Sequence, residues 1–460
     1  MKALSQLFHQ KWQGIAVLLA NVARFILAVT LVFSGAVKLN DPIGTVDKLQ
    51  EYLTAWNLPI PHDIVVLAAV ALGVLEFTLG VYLVFGIGMR KTSRLALAFI
   101  IVMTLLTAYI LAFNPVEDCG CFGDAVVLTN LQTFLKNLVL LVLTAIVAWK
   151  WQWQVKLLTS NTSWILSLFT IIYALILSYH CIKYLPVVDY RPFHIGASIP
   201  EGMEVPEDEQ PVYESKIVYE KDGQRITLDA NEDEDPDSTW QYVETQSKLV
   251  KEGGKAKITN FYIYDVDNDM DLTDDILYDE GYTFLLVSPD LATADDGITD
   301  RINDIYDYSM AHGYGFYGLT ASDSADVSHW VDHTGAEYPI CLGDGPTLKN
   351  MVRANPGLIL LHGGKVVMKW SDHVLPTEEE LDKPLEETGW DEQGERDLKK
   401  QTTKLVLMFF IPLLCLIIID RIAARWAFYR VMRQKTKKIG KEHQVNTIND
   451  KLNNSKTKEK

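Results

Sequence analysis

Six stretches of this 460-residue chain are each apolar for long enough to cross a lipid bilayer. A hydrocarbon core about 30 Å thick takes roughly 20 residues of helix. The stretches are residues 14–37, 64–85, 95–113, 133–149, 164–185 and 403–419. The fourth is the shortest of the tightly loop-connected set. The first could also be a cleaved leader. It is read instead as a retained span, because it is long, contains Arg24 and lacks a small-residue cleavage site.

Charge divides the chain in the same places. Residues 186–400 hold 47 acidic and 17 basic side chains, a formal charge of −30, while the remainder carries +13. An acidic middle is thus flanked by basic, apolar ends. This excludes a disordered chain and a simple soluble enzyme. It also excludes a nucleic-acid partner, since the basic residues border apolar runs and form no patch on the polar part. Arg90, Lys91 and Arg94 follow the second span, Lys150 and Lys156 the fourth, and seven Lys/Arg from Arg421 to Lys438 the sixth. Positively charged short loops stay on the cytoplasmic side. All three groups fall there if both termini are cytoplasmic, so loops 40–63 and 114–132 and the acidic middle face outward.

Spans one to four read as a compact four-helix unit with three features that hydropathy does not explain. The first is Asp118-Cys119-Gly120-Cys121-Phe122-Gly123-Asp124, on the outward side where disulfides persist. A C-x-C pair closes a small strained ring and is comparatively reducible. It is either a dithiol/disulfide exchange centre, or a structural loop disulfide, or two thiols that never react. The second is Glu76, mid-span, where a carboxylate is expensive and is paired or faces a cavity. Antiparallel helices bring Arg24 to a comparable depth, so the expectation is that Arg24 and Glu76 approach each other. The third is the run Ser34 to Pro42. Its small residues admit a neighbouring helix, Lys38 can snorkel, and Asp41-Pro42 ends the helix.

These elements, in this order, resemble the DoxX-like membrane families. The Cys-Gly-Cys-Phe-Gly loop resembles the methylamine-utilisation protein MauE family in particular, over about residues 21–149. That family is a four-helix membrane protein implicated in maturing a disulfide-rich periplasmic dehydrogenase subunit. The resemblance implies a thiol–disulfide role for Cys119 and Cys121 and a location in a bacterial inner (cytoplasmic) membrane. It does not imply methylamine as a substrate here.

The acidic middle begins Pro- and Glu-rich and then reads as two strands around residues 221–224, followed by an acidic loop at 231–237. Residues 257–374 alternate strand and helix. Strands are expected at 260–264, 282–288, 315–321 and 338–342. Helices are expected at 296–312 (stripe Ile298, Ile302, Ile305, Met310), 324–334 (anchored by Trp330) and 347–354. A hairpin at 357–362 and 366–370 closes the unit. This order resembles the thioredoxin-like fold, with Pro356 where that fold carries its cis-proline. The position of the fold's active dithiol, residues 287–294, holds no cysteine. The resemblance therefore implies a degenerate module used for binding. Cys341, on a core strand, is read as a buried thiol, with exchange against Cys119 or Cys121 as the sharper alternative. The acidic run 265–271 lacks the glycine and glutamate of a calcium loop and reads as a hairpin turn, so no metal is expected.

The expected fold class is an α-helical membrane bundle of six transmembrane helices plus an α/β thioredoxin-like extracytoplasmic domain. The expected organisation is a four-helix membrane domain (1–155), a fifth span (156–189), a β-rich module (190–255) and the thioredoxin-like domain (256–376). A charged linker (377–402), a sixth span (403–421) and a basic cytoplasmic tail (422–460), irregular beyond residue 436, complete it. Three functions are open. One is extracytoplasmic thiol–disulfide exchange or maturation of a client protein through Cys119 and Cys121, with quinone as an electron acceptor. Another is a non-enzymatic scaffold anchored in the bilayer. The third is a small-molecule or lipid-handling bundle built on Arg24 and Glu76.

Overall fold

The structure is a computed structural model that describes residues 2–116, 118–206, 210–221, 224–229, 240–251, 253–254, 256–390 and 398–458. The chain divides into two units, residues 1–182 with 186–188 and 398–460, and residues 183–185 with 189–397.

The first unit is helical. Its elements are α1 (Lys2–Asn40), α2 (Pro42–Ala55), α3 (His62–Phe85), α4 (Met89–Phe113), α5 (Asn130–Trp149), α6 (Ser163–Lys183) and a C-terminal helix, Leu398–Lys458. Among the described residues, six helices are long and apolar enough to cross a membrane, and α2 is the one left out. The six match the six apolar runs. The chain is a membrane protein.

Boundaries follow local chemistry. Asp41 caps α2 by accepting from Gly44 N at 2.9 Å, and Pro42 takes the first helical position, where no N–H is needed. Gly86 ends α3 in the left-handed region at φ +72°. Thr129 and Gln132 form a reciprocal capping box that starts α5. The C-terminal helix continues to Lys458, where an irregular tail was expected. That stretch is rich in Lys and Asn and free of proline, so every residue in it keeps the backbone N–H that continues the ladder begun in the span.

Close approach of α1 and α3 sets the bundle. A Cβ on Gly35 would collide with the Phe77 backbone, and one on Gly80 would lie 2.6 Å from Val32 N. In lipid, where apolar burial drives little, such backbone-to-backbone contact is the main source of helix cohesion. α3 packs along α1, and α4 along α5. α6 packs on the C-terminal helix through Phe169, Tyr173 and Phe409, with Tyr173 and Phe409 ring centroids 4.8 Å apart.

The second unit contains two sheets. β1 (Val212–Lys221), β2 (Gln224–Asp229) and β3 (Gln241–Lys251) form an antiparallel sheet in the order β2-β1-β3. The acidic loop expected at 231–237 lies outside the described residues. The larger sheet holds β4 (Tyr264–Asp265), β5 (Met270–Asp271), β6 (Tyr282–Ser288), β7 (Gly315–Thr320), β8 (Ile340–Leu342), β9 (Gly357–His362) and β10 (Lys365–Ser371). Their order is β10-β9-β6-β7-β8-β4-β5, with β6 parallel to β7 and antiparallel to β9. A parallel βαβ unit flanked by a C-terminal hairpin on the first strand is the thioredoxin-like arrangement.

Every residue of β6 is buried, which explains its unbroken apolar run. Phe284 and Leu286 face one core with Ile302, Ile305 and Trp330, from α-helices Thr299–His312 and Ser324–Thr334. Leu285 and Val287 face the other, with Leu348 and Met351 from the helix Gly345–Met351. Met310, assigned to the apolar stripe, is exposed instead, because the buried face of the helix runs through Ile302, Ile305 and Ser309, and Met310 is one step of about 100° round from it. The segment after β10, read as a solvated linker, buries Leu381, Leu385 and Trp390 in the first core, where Trp390 meets Trp370 edge-on at 5.1 Å. Its many charges face outward around these three anchors.

Candidate functional site

The Cys-Gly-Cys loop joins α4 to α5. Gly120 and Gly123 adopt left-handed conformations at φ +63° and +51°, which only glycine takes without strain. Asp118 Oδ1 accepts from Gly120 N at 2.8 Å and pairs with Lys48 Nζ at 3.3 Å. The result is a tight turn that brings the Cys119 and Cys121 sulfurs 2.7 Å apart, both buried and both free thiols.

The loop is held from below by a polar cluster inside the bundle. Lys38 Nζ donates to Ser34 Oγ at 2.9 Å, Glu76 Oε2 at 2.9 Å and the Cys121 carbonyl at 2.7 Å. All three ammonium hydrogens are thereby used. Ser34 Oγ stands 2.6 Å from Glu76 Oε2 and 2.7 Å from the Cys121 carbonyl, and its single hydrogen serves one of them at a time. Lys38 is 5% exposed and Glu76 1%. A charge pair this deep is tolerable because each member is matched and hydrogen-bonded. Tyr52 Oη from α2 donates to the Cys119 carbonyl at 3.1 Å. Phe122 packs edge-on against Phe33 at 5.4 Å, and Lys136 Nζ sits 4.1 Å above the Phe122 ring.

Four sequence-selected groups therefore converge: the dithiol, Ser34, Lys38 and Glu76. Arg24 does not join them, and the expected Arg24–Glu76 approach is wrong. Register explains why. Gly35 faces Phe77 and Gly80 faces Val32, so the antiparallel pairing places Arg24 near Gly86, at the other end of α3. Arg24 Nη1 donates to the Val155 carbonyl at 2.6 Å, while Asn21 binds Trp153 O and Val155 N. Arg24 is a latch for the connection between α5 and α6. Lys38 does not snorkel outward either, because Glu76 and the Cys121 carbonyl satisfy it inside.

Electrostatics make the two thiols unequal. The contact with the Cys119 thiol, with Lys136 and Lys38 nearby, holds the Cys121 thiol below the usual range. Its partner moves the other way: accommodating the Cys121 sulfur and burial both push the Cys119 thiol up. Of the two, Cys121 is the thiol that gives up its proton more readily.

A cavity of about 330 Å³ lies against this loop. Lys48, Tyr52 and Trp56 of the α2 segment line it beside the cysteines, and residues of α3 and α4 complete it. Sequence reasoning missed Lys48 and Tyr52, because α2 is too polar to register as a span. The Asp41-Pro42 pair, read only as a helix end, also begins the helix that carries them.

In the second unit, Cys341 on β8 is fully buried, and burial pushes its thiol up to about 12. The Asn355–Pro356 bond is cis. Around the position of a thioredoxin-type dithiol, Ser288 Oγ donates to Asn355 Oδ1 at 2.7 Å and Asp290 caps a short turn at Ala292. These groups satisfy one another and present no thiol.

Comparison with known proteins bears on both units. Residues 16–150 match the family model described as methylamine utilisation protein MauE. The MauE match contains the dithiol loop, Ser34, Lys38 and Glu76. Residues 213–252, spanning β1 to β3, match the model described as Domain of unknown function (DUF8463). No curated protein matches the chain. Among solved structures, the chain is similar to the thioredoxin domain of a thiol-disulfide oxidoreductase from Bacteroides vulgatus, at 14% identity over 26% of this chain and 87% of that one, with a TM-score of 0.22. It is similar to a thioredoxin-like protein from Porphyromonas gingivalis, at 14% identity over 31% of this chain and 95% of that one, with a TM-score of 0.23.

Proposed function

We propose that the chain is a membrane thiol–disulfide exchange protein whose working pair is Cys119 and Cys121. The observation that carries this reading is the 2.7 Å approach of the two sulfurs beside a cavity, on a loop fixed by Lys38. The placement that goes with it follows the positive loops: both termini inside a bacterial inner membrane, the dithiol loop and the acidic unit outside. The client is an extracytoplasmic protein that gains its disulfide here.

In the oxidising direction, a client thiolate attacks Cys119 Sγ. The Cys119–Cys121 bond breaks and Cys121 departs as thiolate, the better leaving group of the two. A second client thiolate then attacks the client sulfur of the mixed disulfide and expels Cys119. The client is oxidised by two electrons, the pair is reduced by two, and one released proton stays on Cys119. Lys38, Ser34 and Glu76 are positioning residues that fix the Cys121 carbonyl.

The test is redox titration of the full-length protein with mass-resolved thiol trapping. The expected result is a pair that cycles reversibly above about −300 mV, where structural disulfides do not. With a model peptide whose cysteine is supplied as its mixed disulfide with thionitrobenzoate, Cys121→Ser should form the protein–peptide disulfide at Cys119 and release thionitrobenzoate, whereas Cys119→Ser should not. A pair that stays oxidised throughout contradicts the reading. That outcome favours the second reading, a membrane-anchored scaffold, which rests on the absence of a dithiol from β6 through residue 294 in the thioredoxin-like unit.

A further inference from the structure

The cavity beside the dithiol has an unusual combination of walls. Cys119, Gly120 and Cys121 form one. Ile64, Ala68 and Leu72 of α3 and Met103 and Leu106 of α4 form others, and all five belong to membrane-spanning segments. Ile64 and Ala68 are exposed on the bundle surface. Because α3 packs along α1 and α4 along α5, the space between α3 and α4 is left unfilled at this level. A ligand entering between these two spans passes an apolar rim, which favours a lipid-soluble one.

The cavity is not uniformly apolar. Lys48 brings an ammonium to its cysteine end, and Tyr52 and Trp56 stack there at 5.9 Å and 28°, a flat aromatic platform. Its volume is at the small end of ordinary ligand sites, about 300–1,000 Å³. Flat ring, polar head and apolar tail are the features that such walls complement. An acyl chain would use neither the platform nor the ammonium.

We propose that this cavity binds a lipid-soluble quinone, its ring beside Tyr52, Trp56 and the two sulfurs and its tail leaving between α3 and α4. The inference rests on the redox reading of Cys119 and Cys121 for its chemistry. The reduced pair, with its one retained proton on Cys119, gives up two electrons and that proton and forms its S–S bond. The quinone takes both electrons, that proton and a second proton from solvent, and leaves as quinol. This closes the cycle that client oxidation opens.

The experiment uses the full chain in phosphatidylcholine nanodiscs, with decylubiquinone and a photoreactive azido-ubiquinone. Azido-ubiquinone should label the 64–72 or 103–106 segments, and decylubiquinone should compete where dodecanol does not. Ala68→Trp, which fills the lipid-side opening, should lower the ratio of decylubiquinone-driven to glutathione-disulfide-driven reoxidation about tenfold. Labelling without any cycling of the pair supports the site and overturns the redox reading. Cycling with glutathione disulfide, but no competed labelling and no oxidation by decylubiquinone, overturns the quinone site and leaves the redox reading standing. Equal competition by dodecanol also overturns it, because the cavity is then an acyl-chain groove.

Discussion

Lys38 Nζ and the Glu76 carboxylate meet at 2.9 Å in the middle of the membrane bundle, and the same ammonium holds the Cys121 carbonyl at 2.7 Å. One side chain of α1 thus ties α3 to the dithiol loop. Removing one member of such a pair leaves an uncompensated buried charge, which costs about 3–5 kcal/mol. Lys38→Met and Glu76→Leu should each lower the denaturation midpoint in detergent sharply. The double variant should recover most of the loss. A double variant no more stable than either single one contradicts the pairing.

Gly80 lets the α1 and α3 backbones touch. Gly80→Ala introduces a methyl 2.6 Å from Val32 N, which neither backbone can avoid by a rotamer change. Overpacking of this kind costs about 1–3 kcal/mol. Gly14→Ala, with open space around the new Cβ, is the control and should leave thermal stability unchanged. Equal melting of the two variants would show that α1 and α3 are not in backbone contact.

The lowered Cys121 thiol gives a pH signature. A depressed value keeps the thiolate present below the ordinary cysteine range, and reactivity is lost only as pH falls through that lower value. The faster phase of maleimide alkylation of the reduced protein should therefore have its midpoint below that of a free cysteine. Cys119→Ala removes the neighbouring thiol, the largest cause, and Lys136→Gln removes a nearby cation. Both should move the midpoint upward. A midpoint unmoved by either would remove the basis for assigning Cys121 as the leaving thiolate.

Cys341 is enclosed in β8 and its thiol is pushed up. It should resist maleimide in the native protein and react only in denaturant. Cys341→Ser should leave the trapping pattern of Cys119 and Cys121 unchanged. Native labelling, or an altered pattern, would revive exchange between this thiol and the pair.

The spans were legible because twenty apolar residues in a row is a local property; each run lies in a helix, the middle four with ends moved by a few residues and the first and last helices running well beyond theirs. The cluster was legible as parts. Ser34, Lys38, Glu76 and the dithiol each stood out chemically, but which cation meets Glu76 depends on helix register. Register is set by where Gly35 and Gly80 touch their neighbours, and a small residue does not announce its partner. Arg24 lies ten positions before Ser34 on α1, roughly 15 Å along the axis, so depth counted from the sequence misjudged it by about half a span. Tyr52 and Lys48 were hidden for a different reason: α2 is amphipathic and short, so hydropathy reads it as loop. In the second unit, the alternating strands and helices and the cis Asn355–Pro356 site were readable from order alone. The burial of Leu381, Leu385 and Trp390 was masked by the charges around them.

α6 and the C-terminal helix are clasped at both levels. Asp420, nearly fully buried, accepts from Thr159 Oγ1 and Thr162 Oγ1 at 2.5 Å each, while Tyr173 Oη donates to Leu405 O at 3.3 Å further along. These two spans form an antiparallel hairpin in its own right, and everything from Asp189 to Asp397 is threaded into its turn. Asp420 and Tyr173 therefore close this hairpin through side chains that belong to its own two spans and the turn before α6, so its pairing is encoded within the membrane unit.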